Sequence, residues 1–593
     1  MPRAQAAGDA PVKVGRDQNL TTRLWERAGS ASSKEILRYH ADGSWRGMAW
    51  QELGDRVRRV AGGLIASGIK PGDRVALMSG TRLEWTVADL ATLSAGAVTV
   101  PIYGTSSPKK CAWILSNSGA TVAFAEGADH EKTLDEARDQ APDLQEIFVL
   151  DDGGLDALSE LGGEEQRAEV LERSKSLSMD DLATVAYTSG TTGDPKGCML
   201  THGNILWTVR QTEVALEQMF GPEESTLLFL PLAHMFTRLI QFGCLEMDVR
   251  LGYARSLDQL PEDLQSFRPT FLLAVPRVFE KLFDSARREA QGPKRKIFDA
   301  AVRTAQEWSG ADQPGLLTEL KRTAADKLVY AKLRAAIGDR VRYCLSGGAP
   351  LSPHLAHFFH AAQITILQGY GLTETSAPAT VDTPDGVRFG TVGRPLPGVE
   401  IAIADDGEIL IRGANVFQGY YGNEQATQEA LTEDGWFLTG DLGELDDEGC
   451  LRVTGRKKDL IVTAGGKNVV PSALEERIKS HRLVSQAVVV GDDRPFVGAL
   501  ITLQAEALQA FADERGLSGP HSELAKHQAV GDQVQKAVDH ANEAVSRPES
   551  VREFVILERD FTEDRDELTP TMKPRRSVIA EHFAEEIEHI YQR

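Results

Sequence analysis

Apolar positions along the first 180 residues recur with two alternating periods. Leu53, Val57, Val60, Leu64 and Ile65 fall at helical spacing within 50–67, a Pro71-Gly72-Asp73 turn follows, and 74–78 is a solid apolar run. Residues 84–95 repeat the helical period and 97–102 the run. Such alternation predicts crossover units, a parallel sheet with helices on both faces. Residues 151–178, rich in Gly, Asp and Glu, predict a surface loop and helix. Further apolar runs at 182–186, 227–231, 269–275, 341–345 and 364–367 predict more strands, and 199–219 starts with turn and cap residues before reading as a helix. Between 393 and 453 short alternating runs separated by Asp-Gly turns predict a small β-rich subdomain. The charged, turn-prone segment 455–459 lies between apolar strands at 451–453 and 460–462, which makes it the domain boundary. Beyond it, strands at 486–490, 497–503 and 553–557 and helices at 472–479, 531–545 and 577–588 predict a smaller α/β domain. The fold class is therefore α/β: a large N-terminal domain (1–454) of parallel-rich sheets with helices and a β-rich subdomain, a hinge (455–459) and a small C-terminal domain (460–593).

Chemistry concentrates where strands end. The run 182–186 leads into Tyr187-Thr188-Ser189-Gly190-Thr191-Thr192-Gly193-Asp194-Pro195-Lys196-Gly197, a loop of hydroxyls, glycines and one lysine that can aim N–H and O–H groups at a phosphate. It is not a Walker loop, because Gly197 rather than Ser or Thr follows the lysine. Strand 227–231 delivers Leu232-Ala233-His234-Met235-Phe236-Thr237-Arg238 at its carboxyl end, where open α/β sheets bind ligands. Two further strands end in glycine-bearing loops, Ser346-Gly347-Gly348-Ala349-Pro350 and Gly369-Tyr370-Gly371-Leu372-Thr373-Glu374, suited to close backbone approach to a flat ligand. His234 by itself reads equally as a local hydrogen-bonding group or a functional one.

Length and charge narrow the picture. At 593 residues the chain exceeds one core. A formal charge of -22 argues against nucleic acid as a partner and against broad adhesion to anionic lipid. The five cysteines show no metal-ligand spacing, the start lacks a signal-peptide core, and no stretch offers 18 uninterrupted apolar residues. These features predict a cytoplasmic protein. Within this acidic chain 277–342 carries basic clusters, Arg287-Arg288, Lys294-Arg295-Lys296 and Lys321-Arg322, which read either as a solvated helical surface or as a peripheral contact with the inner face of the membrane.

Taken in order, the loop at 187–197, Ser346 to Pro350, Gly369 to Glu374, Thr439-Gly440-Asp441, Gly455-Arg456-Lys457-Lys458-Asp459 and Pro570-Thr571-Met572-Lys573-Pro574 resemble the acyl-adenylate-forming enzymes. The run from Asp434 to Gly443 is similar to the signature of bacterial long-chain fatty acid:CoA ligases. The resemblance implies ATP-dependent activation of a long-chain fatty acid through acyl-AMP, then transfer to CoA. It implies that Thr188 and Glu374 hold Mg²⁺, that Ser189, Gly190, Thr191, Thr192 and Lys196 cradle the β- and γ-phosphates, and that adenine lies between Gly347-Gly348-Ala349 and Tyr370, beside Gly371. Thr373 would sit near the α-phosphate, Asp441 would accept the ribose hydroxyls, and Arg456 and Lys458 would flank the nucleotide. Lys573 matches the catalytic lysine, on a mobile C-terminal domain that turns about Lys458 between half-reactions. Gly465 matches the glycine beside the pantetheine channel, and His234 a gating or positioning residue near the acyl channel. Arg238 is expected to be structural. Acetylation of Lys573 by a lysine acetyltransferase would remove the charge adenylation needs.

Two other readings compete. An adenylation module loading aryl, amino or fatty acids onto a carrier protein usually has a carrier domain fused to it, and the chain ends about twenty residues after Lys573. A non-catalytic binding protein would have lost Lys573, Glu374 or Lys196, and all three are present.

Overall fold

The structure is a computed structural model in which residues 3–30, 33–188, 194–311, 313–569 and 573–592 are described. The apolar runs of the first part form a six-stranded sheet in the order Glu146–Val149, Val122–Ala125, Arg74–Met78, Val98–Ile102, Leu182–Thr188, Lys196–Thr201. All neighbours are parallel except the last pair. Val98–Ile102 is buried at every position, as its unbroken apolar run requires when helices cover both faces. Trp50–Ala66 and Leu83–Ser94 supply part of that cover, the second buried at every position except Glu84.

A second sheet carries Phe271–Ala274, Tyr343–Ser346 and Thr365–Leu372 in parallel, then Ala377–Val381 and Arg394–Pro395 antiparallel. Residues 369–372 continue a strand rather than opening a loop. Gly371 is required there, because a Cβ would stand 1.7 Å from the Ala377 carbonyl oxygen. The β-rich region forms an antiparallel sheet of Glu400–Ile403, Glu408–Arg412, Phe437–Leu445 and Leu451–Arg456, with Ala4–Ala7 added at its edge. Beyond 460, Val484–Val490, Val497–Leu503 and Val551–Ile556 make a three-stranded sheet whose two apolar clusters draw only on residues 461–590.

Three further local expectations are corrected. Residues 196–201 form a strand antiparallel to Leu182–Thr188, and the helix begins only at His202. Residues 154–176 hold two helices, Gly154–Leu161 and Glu164–Ser176. The final helix is two, Arg576–His582 and Ala584–Tyr591.

Candidate active site

Strand pairing sets the first cluster. Asp441 lies opposite Arg456 in the antiparallel ladder, so both side chains emerge on one face, with Arg456 Nε 3.0 Å from Asp441 Oδ1. Tyr370 reaches in from the other sheet and its hydroxyl donates to Asp441 Oδ2 at 2.7 Å. Burial, and then the Asp441 charge, push the Tyr370 phenol far above its ordinary range, so it remains a donor. Burial opposes the charge of Arg456, but Asp441 and Asp459 outweigh it and hold the guanidinium above its usual value. A ribose would share this carboxylate, each oxygen of which keeps acceptor capacity. Asp441→Asn is expected to raise the KM for ATP by about tenfold or more with a smaller loss in kcat, as fits a charge-assisted hydrogen bond. Equal KM for ATP in variant and parent would remove Asp441 from the nucleotide site.

Gly347 and Gly348 leave the carboxyl end of Tyr343–Ser346, and Gly348 adopts a positive φ of 81°. Gly347 is buried against Phe236, whose ring would lie 3.3 Å from an added Cβ. Ala349 follows exposed. Thr373 opens the 3-10 turn Thr373–Thr375, which places Glu374 inward.

Thr188 and Glu374 both lie near Cys198, whose buried thiol is pushed far above its ordinary range by burial first and then by the Glu374 charge. Glu374 is buried, its Oε1 accepts the Tyr420 hydroxyl at 2.9 Å, and burial raises its carboxyl above the usual range. The Lys196 ammonium sits 4.9 Å above the Tyr420 ring. Tyr420 and the segment around it were not legible as site residues. They are tied in by backbone bonds, Tyr421 N–H to the Gly197 carbonyl at 2.8 Å and Phe417 N–H to the Glu374 carbonyl at 2.8 Å. A carboxylate and a hydroxyl are the donor types that suit a hard cation such as Mg²⁺; Thr188 lines the cavity that Lys573 also lines, whereas Glu374 is not among its lining residues. Ser189, Gly190, Thr191 and Thr192 lie outside the described residues.

His234 caps the helix Met235–Glu246, its Nδ1 accepting the Phe236 N–H at 3.2 Å. The local hydrogen-bonding reading is thus occupied on one nitrogen. Burial, with a smaller push from Lys573, lowers its pKa to about 4, so at neutral pH the ring is uncharged, with its proton on Nε2. Arg238 is structural: it is 1% exposed and paired with buried Asp89, Nε to Oδ2 at 3.0 Å.

Lys573 is tied to Thr569: its N–H donates to Thr569 Oγ1 at 3.1 Å and its carbonyl accepts the Thr569 N–H at 2.9 Å. The side chain opens to solvent through a cavity, but protein surrounds it closely enough that desolvation, reinforced by Arg456 and opposed by Asp441, lowers its pKa to about 8. The cavity, about 2150 Å³, is lined by Thr188, His234, Gly348, Tyr370, Asp441, Arg456, Lys458 and Lys573 among others. Gly465 is not among its lining residues and lies exposed between the strands Ile461–Val462 and Asn468–Val469. Sequence reasoning also missed Lys457, whose ammonium bridges Asp406 at 2.6 Å and Glu408 at 2.8 Å while Glu408 accepts the Gly440 N–H at 2.9 Å.

Residues 24–421 match the AMP-binding enzyme family and 458–593 the AMP-binding enzyme C-terminal domain. The long-chain-fatty-acid–CoA ligase FadD15 of Mycobacterium bovis is 44% identical over 593 residues, covering 98% of this chain and 99% of its own. Long-chain-fatty-acid–CoA ligase ACSBG2 of Xenopus laevis is 31% identical, covering 92% and 80%. Among solved structures, O-succinylbenzoate coenzyme A synthetase from Bacillus subtilis in complex with AMP superposes with a TM-score of 0.69 at 22% identity, covering 94% of this chain and 98% of its own. The A domain of carboxylic acid reductase from Segniliparus rugosus gives 0.74 at 22%, covering 98% and 95%. The solved structures establish the fold, and with the family match over most of its length the chain belongs to the AMP-binding enzyme family, among the long-chain fatty acid CoA ligases.

Proposed function

We propose that this protein converts long-chain fatty acids to acyl-CoA in two half-reactions, ATP and acid giving acyl-AMP and pyrophosphate, then CoA displacing AMP. The observation that carries the site assignment is that Lys573 shares one cavity with the Asp441–Tyr370–Arg456 cluster. In the first step a carboxylate oxygen attacks the α-phosphorus and pyrophosphate leaves in line. Two anions must approach, so positive charge has to sit between them. Lys573 supplies it by bridging the substrate carboxylate and the α-phosphate, with Thr373 donating to that phosphate. Asp441 fixes the ribose and Tyr370 with Gly347, Gly348, Ala349 and Gly371 the adenine. Lys196 and the hydroxyls of Ser189, Thr191 and Thr192, with the Gly190 backbone, hold the leaving phosphates. Thr188 and Glu374 would hold Mg²⁺, which when bound adds Lewis-acid neutralisation of the phosphate charge.

In the second step the CoA thiol attacks the acyl carbonyl and AMP leaves. Lys573 has no part there. A unit comprising 460–593 would turn about the hinge 455–459, with Lys458 as the pivot, withdrawing Lys573 and presenting the side that carries Gly465 to the pantetheine. The bonds of Lys457 to Asp406 and Glu408 anchor the chain immediately before that pivot to the β-rich sheet and support rotation beginning at 458. His234, neutral and held by its cap bond, would position the acyl carboxylate rather than transfer a proton. Acetylation of Lys573 would stop the first step alone.

Loading of a carrier protein is not favoured, since the relatives matched over nearly the full length are CoA ligases. Pyrophosphate release across fatty acids of graded length, with and without CoA, tests the proposal. Release with long-chain acids, stimulated by CoA and not by aryl or amino acids, is expected, and release driven only by the latter would refute it.

A further inference from the structure

Not all of the basic region faces outward. Arg287 lines the cavity and Arg288 pairs with Glu506, so that first cluster is engaged within the protein. The outward face lies further on. The helix Leu316–Ala325 carries Leu316, Leu317 and Leu320 exposed at 87%, 68% and 69%, and Leu328 follows at 53%. Spacing of one, three and eight positions sets these leucines on one side, with exposed Lys321, Lys327 and Lys332 beside them. The other side is firmly seated: Trp308 Nε1 donates to Glu319 Oε1 at 2.7 Å, and the Tyr330 hydroxyl donates to the Ala301 carbonyl at 2.8 Å. The ridge is therefore an apolar surface held outward by a packed helical hairpin.

We propose that this leucine ridge docks the protein peripherally on an anionic lipid bilayer. Charge selects that occupant. Residues 293–334 contain nine Lys and Arg against five Asp and Glu, in a chain whose overall charge is -22. Lys321 has an exposed partner, Glu307, at 3.5 Å, while Lys327 and Lys332 are in no ion pair among the described residues. Leucines that enter the acyl boundary while flanking lysines reach the headgroups are the arrangement of an interfacial helix. The paired helix Pro293–Ser309 lines the cavity through Val302 and Arg303, so docking would set the bilayer against the same hairpin that walls the site. No helix among the described residues is long and apolar enough to span a membrane, which leaves surface contact as the mode.

Docking needs only the ridge and its charges, and measuring it without substrate separates it from the ligase chemistry above. Full-length protein would be sedimented with vesicles of phosphatidylcholine alone and of phosphatidylcholine with phosphatidylglycerol. Binding is expected to the anionic vesicles and to weaken with salt. The triple variant Leu316→Ser, Leu317→Ser, Leu320→Ser should lose roughly tenfold or more of its partitioning, and Lys327→Glu with Lys332→Glu several-fold, with activity on detergent-dispersed substrate retained in both. Absent binding by the parent protein, or undiminished binding by the triple variant, overturns the proposal. So does a dimer in sedimentation velocity that the triple variant dissolves without any vesicle binding, because a second copy would then be what covers the ridge.

Discussion

Replacing Lys573 by alanine is expected to lower acyl-AMP formation by about 10²–10³-fold while leaving transfer from supplied acyl-AMP to CoA nearly intact. The asymmetry follows from charge. Only the adenylation step brings two anions together, and a cation aimed at the gap is worth most in a water-poor cavity. Measured pre-steady-state, the two half-reactions should separate cleanly in this variant, and equal loss in both would mean that Lys573 merely holds the fold. The pH dependence gives a second handle. Because burial lowers the Lys573 pKa to about 8, its charge is present below that pH and lost above it. Adenylation kcat/KM, which reports the free enzyme, should fall toward tenfold per pH unit above about 8, and transfer from supplied acyl-AMP should lack that limb. A limb unchanged in Lys573→Arg would assign it to another group.

Asp89→Ala is expected to destabilise the large N-terminal part by about 3–5 kcal/mol. Asp89 is fully buried beneath Arg238, accepts from the Thr99 hydroxyl at 2.8 Å, and faces Gln241. Without it the guanidinium stays in the core with no counter-ion, and its Nη1 already lacks a partner. Removing both charges as Asp89→Leu with Arg238→Met should recover most of the loss, because paired desolvation costs disappear together. Urea unfolding of the single and double variants checks this. A loss below about 1 kcal/mol for Asp89→Ala would show that water reaches Arg238.

Local pattern carried the strands that end at the site, since each is a solid apolar run bounded by glycine and polar residues. It failed where partners are distant in sequence. Residues 196–201 read as a turn entering a helix because Gly197 and Thr201 are turn and cap residues, yet they pair with Leu182–Thr188 and are bridged by Tyr420. Tyr420 has no local signal, because its place beside Glu374 and Lys196 comes entirely from strand pairing. The Lys457 clamp likewise depends on acids about fifty residues earlier. Basic clusters in 277–342 drew attention to charge, whereas the outward leucines emerge only once the inner face of their helix is known.

The most direct test of activation through a mixed anhydride with AMP labels a long-chain fatty acid with ¹⁸O in its carboxylate and follows the isotope through one turnover with ATP and CoA. One ¹⁸O should appear in the phosphate of AMP, with pyrophosphate unlabelled. Label recovered in orthophosphate, with ADP as the nucleotide product, would contradict attack at the α-phosphorus.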